Sequence, residues 1–160
     1  IRERVAQRIA TITKRHDIIE AVVNSNTSSV PEQLKSAKVL SAVSESEEFK
    51  GITEALNRVI NISAKAQDDA SGEISEDRLE TESERNLVKA IQELNAKVGS
   101  LTPEELYSHL EAMAPKINDF FNENMVMVDD EAVRRNRLRF LGLLSEIILD
   151  LADFTSLIVK

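Results

Sequence analysis

Residues 119–144 read DFFNENMVMVDDEAVRRNRLRFLGLL, and they set Arg134, Arg135, Arg137 and Arg139 directly after Asp129, Asp130 and Glu131 in a chain that is acidic overall. The stretch predicts a final helix starting at Asp129 or Asp130, either of which suits an N-cap, and running to about Phe154. At about 100° per residue, Arg135, Arg139, Gly142, Glu146, Asp150 and Asp153 share a solvent face. Phe140, Leu141, Leu144, Ile147, Ile148 and Leu151 form the opposite face, and Arg137 falls near its centre. A guanidinium there is costly unless it is paired and hydrogen-bonded. Asp119 and Asp129 are its nearest acidic neighbours in sequence. Two readings of Arg137 stand at this point: a fold-fixing ion pair, or a side chain facing a ligand groove. Arg134 lies at the edge of the apolar face. Phe120 and Phe121 are adjacent, so either both pack in the core or one, Phe121, leans out to stack on an unpaired base.

The same helical periodicity recurs upstream. Val5, Ile9 and Ile12 predict a helix over residues 2–15, and Asp17 is placed to cap "IIEAVV". Ser29, Pro31 and Glu32 fit a capping box ahead of a helix from 31 to about 44. Ile52, Leu56, Val59 and Ile60 make one stripe of a helix over about 47–64, and Leu87, Val88, Ile91 and Leu94 another over 82–98, with Gly99 where a left-handed C′ residue is wanted. Thr102, Pro103 and Glu105 repeat the capping box, and Pro115 is expected to break or kink the helix that follows. "MVMV" at 125–128 reads as a connector with apolar anchors. With only four glycines and three prolines in 160 residues, the expected fold is all-α, a single helical bundle of about six or seven helices.

Residues 68–84 carry eight acidic side chains against Arg78 alone, nearly the whole net charge of −8. They predict a flexible, exposed connection at about 66–82. Positive charge is segregated elsewhere, in residues 1–15 and 134–139, so a local basic footprint is compatible with a pI near 4.9. Cysteine is absent, which excludes thiol chemistry, and histidine occurs only at His16 and His109, so a histidine-rich metal site or a serine triad would need both brought together by folding. No glycine-rich phosphate loop, HExxH, GxSxG or calcium loop is present, so no catalytic or metal-binding residues are expected. No apolar run approaches the roughly 20 residues of a membrane span. The chain starts at Ile1 and is expected to be one domain, 1–160, cut from a longer polypeptide.

"FFNENMVMVDDEAVRRNRLRFLGLLSEIILDLADFTSLIVK" at 120–160 resembles the C-terminal end of the β subunit of bacterial heterotetrameric glycyl-tRNA synthetase, which carries a DALR-type anticodon-binding domain. The matching elements are Phe120 to Met127, Asp129 to Glu131, and Asn136 to Leu138, with "DIIEAVV", "FKGITEALNRVINI" and "ESERNLVKAI" following the same family order upstream. "DEAVR" at 130–134 departs from the Asp-Ala-Leu-Arg spelling but keeps the helix start and the arginine.

The resemblance implies a helical anticodon-binding domain that contacts tRNA(Gly). It further implies no cofactor in this region, with ATP and Mg at the separate α subunit. The implied partners are that subunit and the remainder of the β subunit, in the cytoplasm, without membrane or DNA. Glycine anticodons read N-C-C, and cytosine offers an N4 donor with O2 and N3 acceptors. Carboxylates of Asp129 and Asp130 suit the donor, while Arg134, Arg135 and Asn136 suit the acceptors. Two other readings are a helical docking module that associates with the rest of a synthetase without touching RNA, and the anticodon domain of an arginyl-tRNA synthetase. The "MVMV" approach and the upstream segments favour the glycyl type.

Overall fold

A computed structural model describes residues 2–11, 13, 15–27, 29–65, 73–126 and 128–157. Seven α-helices and no strand occur among them, as the periodicity predicts: α1 (Arg2–Ile9), α2 (His16–Val23), α3 (Val30–Val43), α4 (Phe49–Lys65), α5 (Glu82–Lys97), α6 (Pro103–Glu123) and α7 (Glu131–Leu151). Short 3-10 turns follow α5 and α7 and precede α5. α4 packs chiefly on α7 and α5 on α6, while α2 and α3 close the other side against α6 and the turn at Phe154–Ser156. One apolar core joins all seven helices.

Several boundaries differ from expectation for local reasons. α1 ends at Ile9 rather than near 15, because the Thr11 hydroxyl donates to the Arg8 carbonyl (2.6 Å) and so competes with helix continuation. Ile12 and Lys14 lie outside the described residues. Asp17 does not cap α2: it accepts a forked bond from Arg15, with Nε at 3.0 Å from Oδ1. Ser29 caps α3 by accepting from the Glu32 amide at 3.4 Å, while the Glu32 carboxylate pairs with Lys35 instead of completing a box.

Thr102 and Glu105 do complete one at α6, and those bonds hold the Glu105 carboxyl below the usual carboxylate range. Gly99 sits in the 3-10 turn Val98–Ser100 without a left-handed backbone. Pro115 neither ends nor divides α6, which runs through it. The proline is exposed, so the Glu111 carbonyl it strands is on the water side. α7 ends at Leu151, three residues early, where Asp153 caps the turn at Phe154–Ser156 and ties its own amide to the Ala21 carbonyl (2.8 Å).

Tyr107 on α6 is buried, and among the described residues its hydroxyl has no hydrogen-bond partner. Burial first, then the carboxylates of Glu111 and Glu48, push its pKa up to about 12. The raised value favours the protonated ring in the folded chain, so the corresponding stability is complete below the unfolded pKa of about 10 and is lost as pH rises through 12. Tyr107→Phe should flatten the alkaline side of a stability-against-pH curve between those values. An unaltered slope on urea titration at pH 9 to 12 would count against this account.

Candidate nucleic-acid interface

The polar residues of 119–139 gather where α5 and α7 begin and α6 ends. Arg137 is buried, as its place on the apolar face predicts, but its partner is neither Asp119 nor Asp129, both of which are exposed. The partner is Glu84 in the first turn of α5, with 0% of its surface exposed: Nε donates to Oε2 at 3.1 Å and Nη2 to Oε1 at 3.0 Å. Nη1 donates to the Met125 carbonyl, and Nη2 also reaches Asn124 Oδ1 at 3.3 Å and the Glu80 carboxylate at 3.5 Å.

Glu84 serves two structures at once. It is the N3 residue of a capping box with Thr81, so Oε1 also accepts the amides of Glu80 (3.0 Å) and Thr81 (3.2 Å). Asn124, at the C-cap of α6, links the same cluster by accepting from the Thr81 hydroxyl and donating to Ser83 Oγ and the Phe120 carbonyl. Every member of the buried pair is thereby saturated, the condition under which such a pair is tolerated. Composition had grouped Glu84 with the acidic connection. The signal that separates it was present: it lies three and four residues before Leu87 and Val88, on their face, and three after a threonine.

The acidic connection is tethered where it is described. Residues 66–72 fall outside the described residues, but Ser75 exchanges two hydrogen bonds with the Asn136 side chain, its amide to Oδ1 at 2.7 Å and its carbonyl from Nδ2 at 2.9 Å. Asn136 is consequently buried, with its amide committed to the backbone, and is not available to read a base as the sequence suggested. Arg139 donates to the Glu73 carbonyl at 3.4 Å and lines a cleft of about 840 Å³ with Gln92, Asn95 and Glu146.

Asp130 caps α7, its Oδ1 accepting from the amides of Ala132 (3.0 Å) and Val133 (3.2 Å). Asp129 is exposed beside it. Arg135 pairs with Glu131 one turn earlier at 2.6 Å, and Arg134 is half-buried with Nη1 3.4 Å from the Val128 carbonyl. Phe121 is buried, edge-on to Phe120 with ring centres 5.2 Å apart. The guanidinium of Arg58 on α4 lies 4.2 Å above its ring centre, so Phe121 does not present an open face to a base. Met125 is 73% exposed, while Met127 lies outside the described residues.

The described residues include no group of three or more His, Cys, Asp or Glu side chains that could hold a metal ion. The DALR anticodon binding domain family matches residues 52–153, and the chain belongs to that family. It is 38% identical over its full length to the glycine–tRNA ligase beta subunit of Streptococcus pyogenes serotype M18. It is 34% identical over its full length to that of Lactobacillus acidophilus, and 32% identical over 99% of its length to that of Pediococcus pentosaceus. It spans 23% of the length of each of these relatives. No helix among the described residues is long and apolar enough to cross a membrane.

Proposed function

We propose that this chain is the anticodon-binding part of a glycine–tRNA ligase β subunit and that it recognises tRNA(Gly). The family match across 52–153 carries the reading, and the names of the relatives supply the amino acid. Exposed Asp129 suits the N4 donor of an anticodon cytosine, and Arg134 and Arg135 suit its O2 and N3 acceptors. Asp130 and Arg137 act one step back, by starting α7 and by holding the approach to it. In this reading ATP, Mg²⁺ and glycine are used at a separate α subunit and this region holds no cofactor. The α subunit and the rest of the β subunit are its partners, the setting is cytoplasmic, and neither membrane nor DNA takes part.

The test is made in the complete ligase. Arg134→Ala should lower kcat/KM for tRNA(Gly) charging by roughly 5- to 150-fold, the value of one lost base contact, mainly through KM. Charging that is indifferent to replacement of either anticodon cytosine would overturn the function. A response to those cytosines with Arg134→Ala at wild-type efficiency would instead remove Arg134 from the contact set.

A further inference from the structure

Arg58 is exposed on α4 and held against Phe121 at 4.2 Å, and among the described residues no hydrogen bond or ion pair engages its guanidinium. Arg137, Arg135 and Arg15 already have carboxylate partners, Glu84, Glu131 and Asp17, with which an RNA acceptor would have to compete. Even Glu54, one turn before Arg58 on the same helix, forms no ion pair with it. An arginine side chain ordinarily loses rotamer freedom when it binds, at up to about 2 kcal/mol. The ring of Phe121 already restrains this one, while leaving five N–H donors unfilled.

The geometry points to Arg58 as an RNA-contacting residue. Its guanidinium, positioned by Phe121, takes the acceptor atoms of an unpaired strand, either a phosphate oxygen or the O2 and N3 edge of a cytosine. The inference rests on the anticodon-binding reading and deepens it by moving the contact expected of Phe121 onto the cation that covers it. Phe121 becomes a positioning residue. A guanidinium fork fits a base edge with two bonds, whereas a point charge satisfies a phosphate.

The experiment titrates the complete ligase with a synthetic RNA hairpin bearing the glycine anticodon loop, at several salt concentrations. Arg58→Gln should weaken binding about tenfold or more, the worth of a hydrogen bond to a charged donor, whereas Lys89→Gln, at an exposed position of α5, controls for the loss of one positive charge. If Arg58→Lys restores affinity, the acceptor is a phosphate. If it does not, and the penalty for replacing an anticodon cytosine by uracil shrinks in both variants, the acceptor is the base edge. Wild-type affinity in Arg58→Gln, or a loss no larger than that of Lys89→Gln, overturns the inference while the proposed function stands. A wild-type ligase that does not bind the hairpin overturns both.

Discussion

Glu84→Gln is expected to destabilise the chain by about 3–5 kcal/mol, the cost of leaving one member of a buried ion pair without its counter-charge. The amide keeps the shape and one oxygen, so the capping bonds to Glu80 and Thr81 can persist while the charge on Arg137 is left facing Asn124, the Met125 carbonyl and the more distant Glu80 carboxylate. Arg137→Met alone should be similarly damaging, because it strands a carboxylate that has 0% exposure. Combining Glu84→Leu with Arg137→Met should recover only part of the loss: replacing a whole buried pair by apolar groups is often neutral, but here the amides of Glu80 and Thr81 also lose their cap. Urea denaturation measures all three. A single variant that loses less than about 1 kcal/mol, in the range of exposed pairs, would refute the burial argument.

Phe120→Ala should cost about 3–5 kcal/mol, the usual range for deleting a buried aromatic ring. The ring is wholly buried and touches Phe121 and Phe140 edge-on, with centres 5.2 and 5.4 Å away, so its loss opens a void between α6 and α7 and removes the support beneath Phe121. Thermal and urea unfolding should both register it. Substitution by leucine should cost clearly less, because it refills much of the void; equal losses for alanine and leucine would mean that the edge-on ring contacts, rather than volume, hold this junction together.

Helix number and type were legible because Ile52, Leu56, Val59 and Ile60, or Leu87, Val88, Ile91 and Leu94, repeat with a period that only a helix satisfies. The burial of Arg137 was legible for the same reason, since position on a face follows from spacing alone. Its partner was not. Glu84 lies 53 residues away, and proximity in sequence favoured Asp119 and Asp129, which folding sends to the surface. Asn136 shows the same limit: its composition suits base recognition, but a tertiary contact with Ser75, 61 residues upstream, engages both its Oδ1 and its Nδ2 and buries it. Of the break or kink expected at Pro115, the break did not form: the forfeited bond falls on the exposed side, where the stranded carbonyl is open to solvent. Arg58 carried no signal in the sequence, since only folding lays α4 against Phe121.

The carboxylate of Glu84 ties the start of α5 to the approach to α7. The same oxygen that stops α5 from fraying also holds the arginine that fixes the approach to α7, so the start of one helix and the entry to another open together or not at all. Local breathing at this end of the bundle is therefore suppressed. On the proposed reading, an RNA loop arriving there would meet a surface held in one shape, and the ordering cost of association would fall on the RNA.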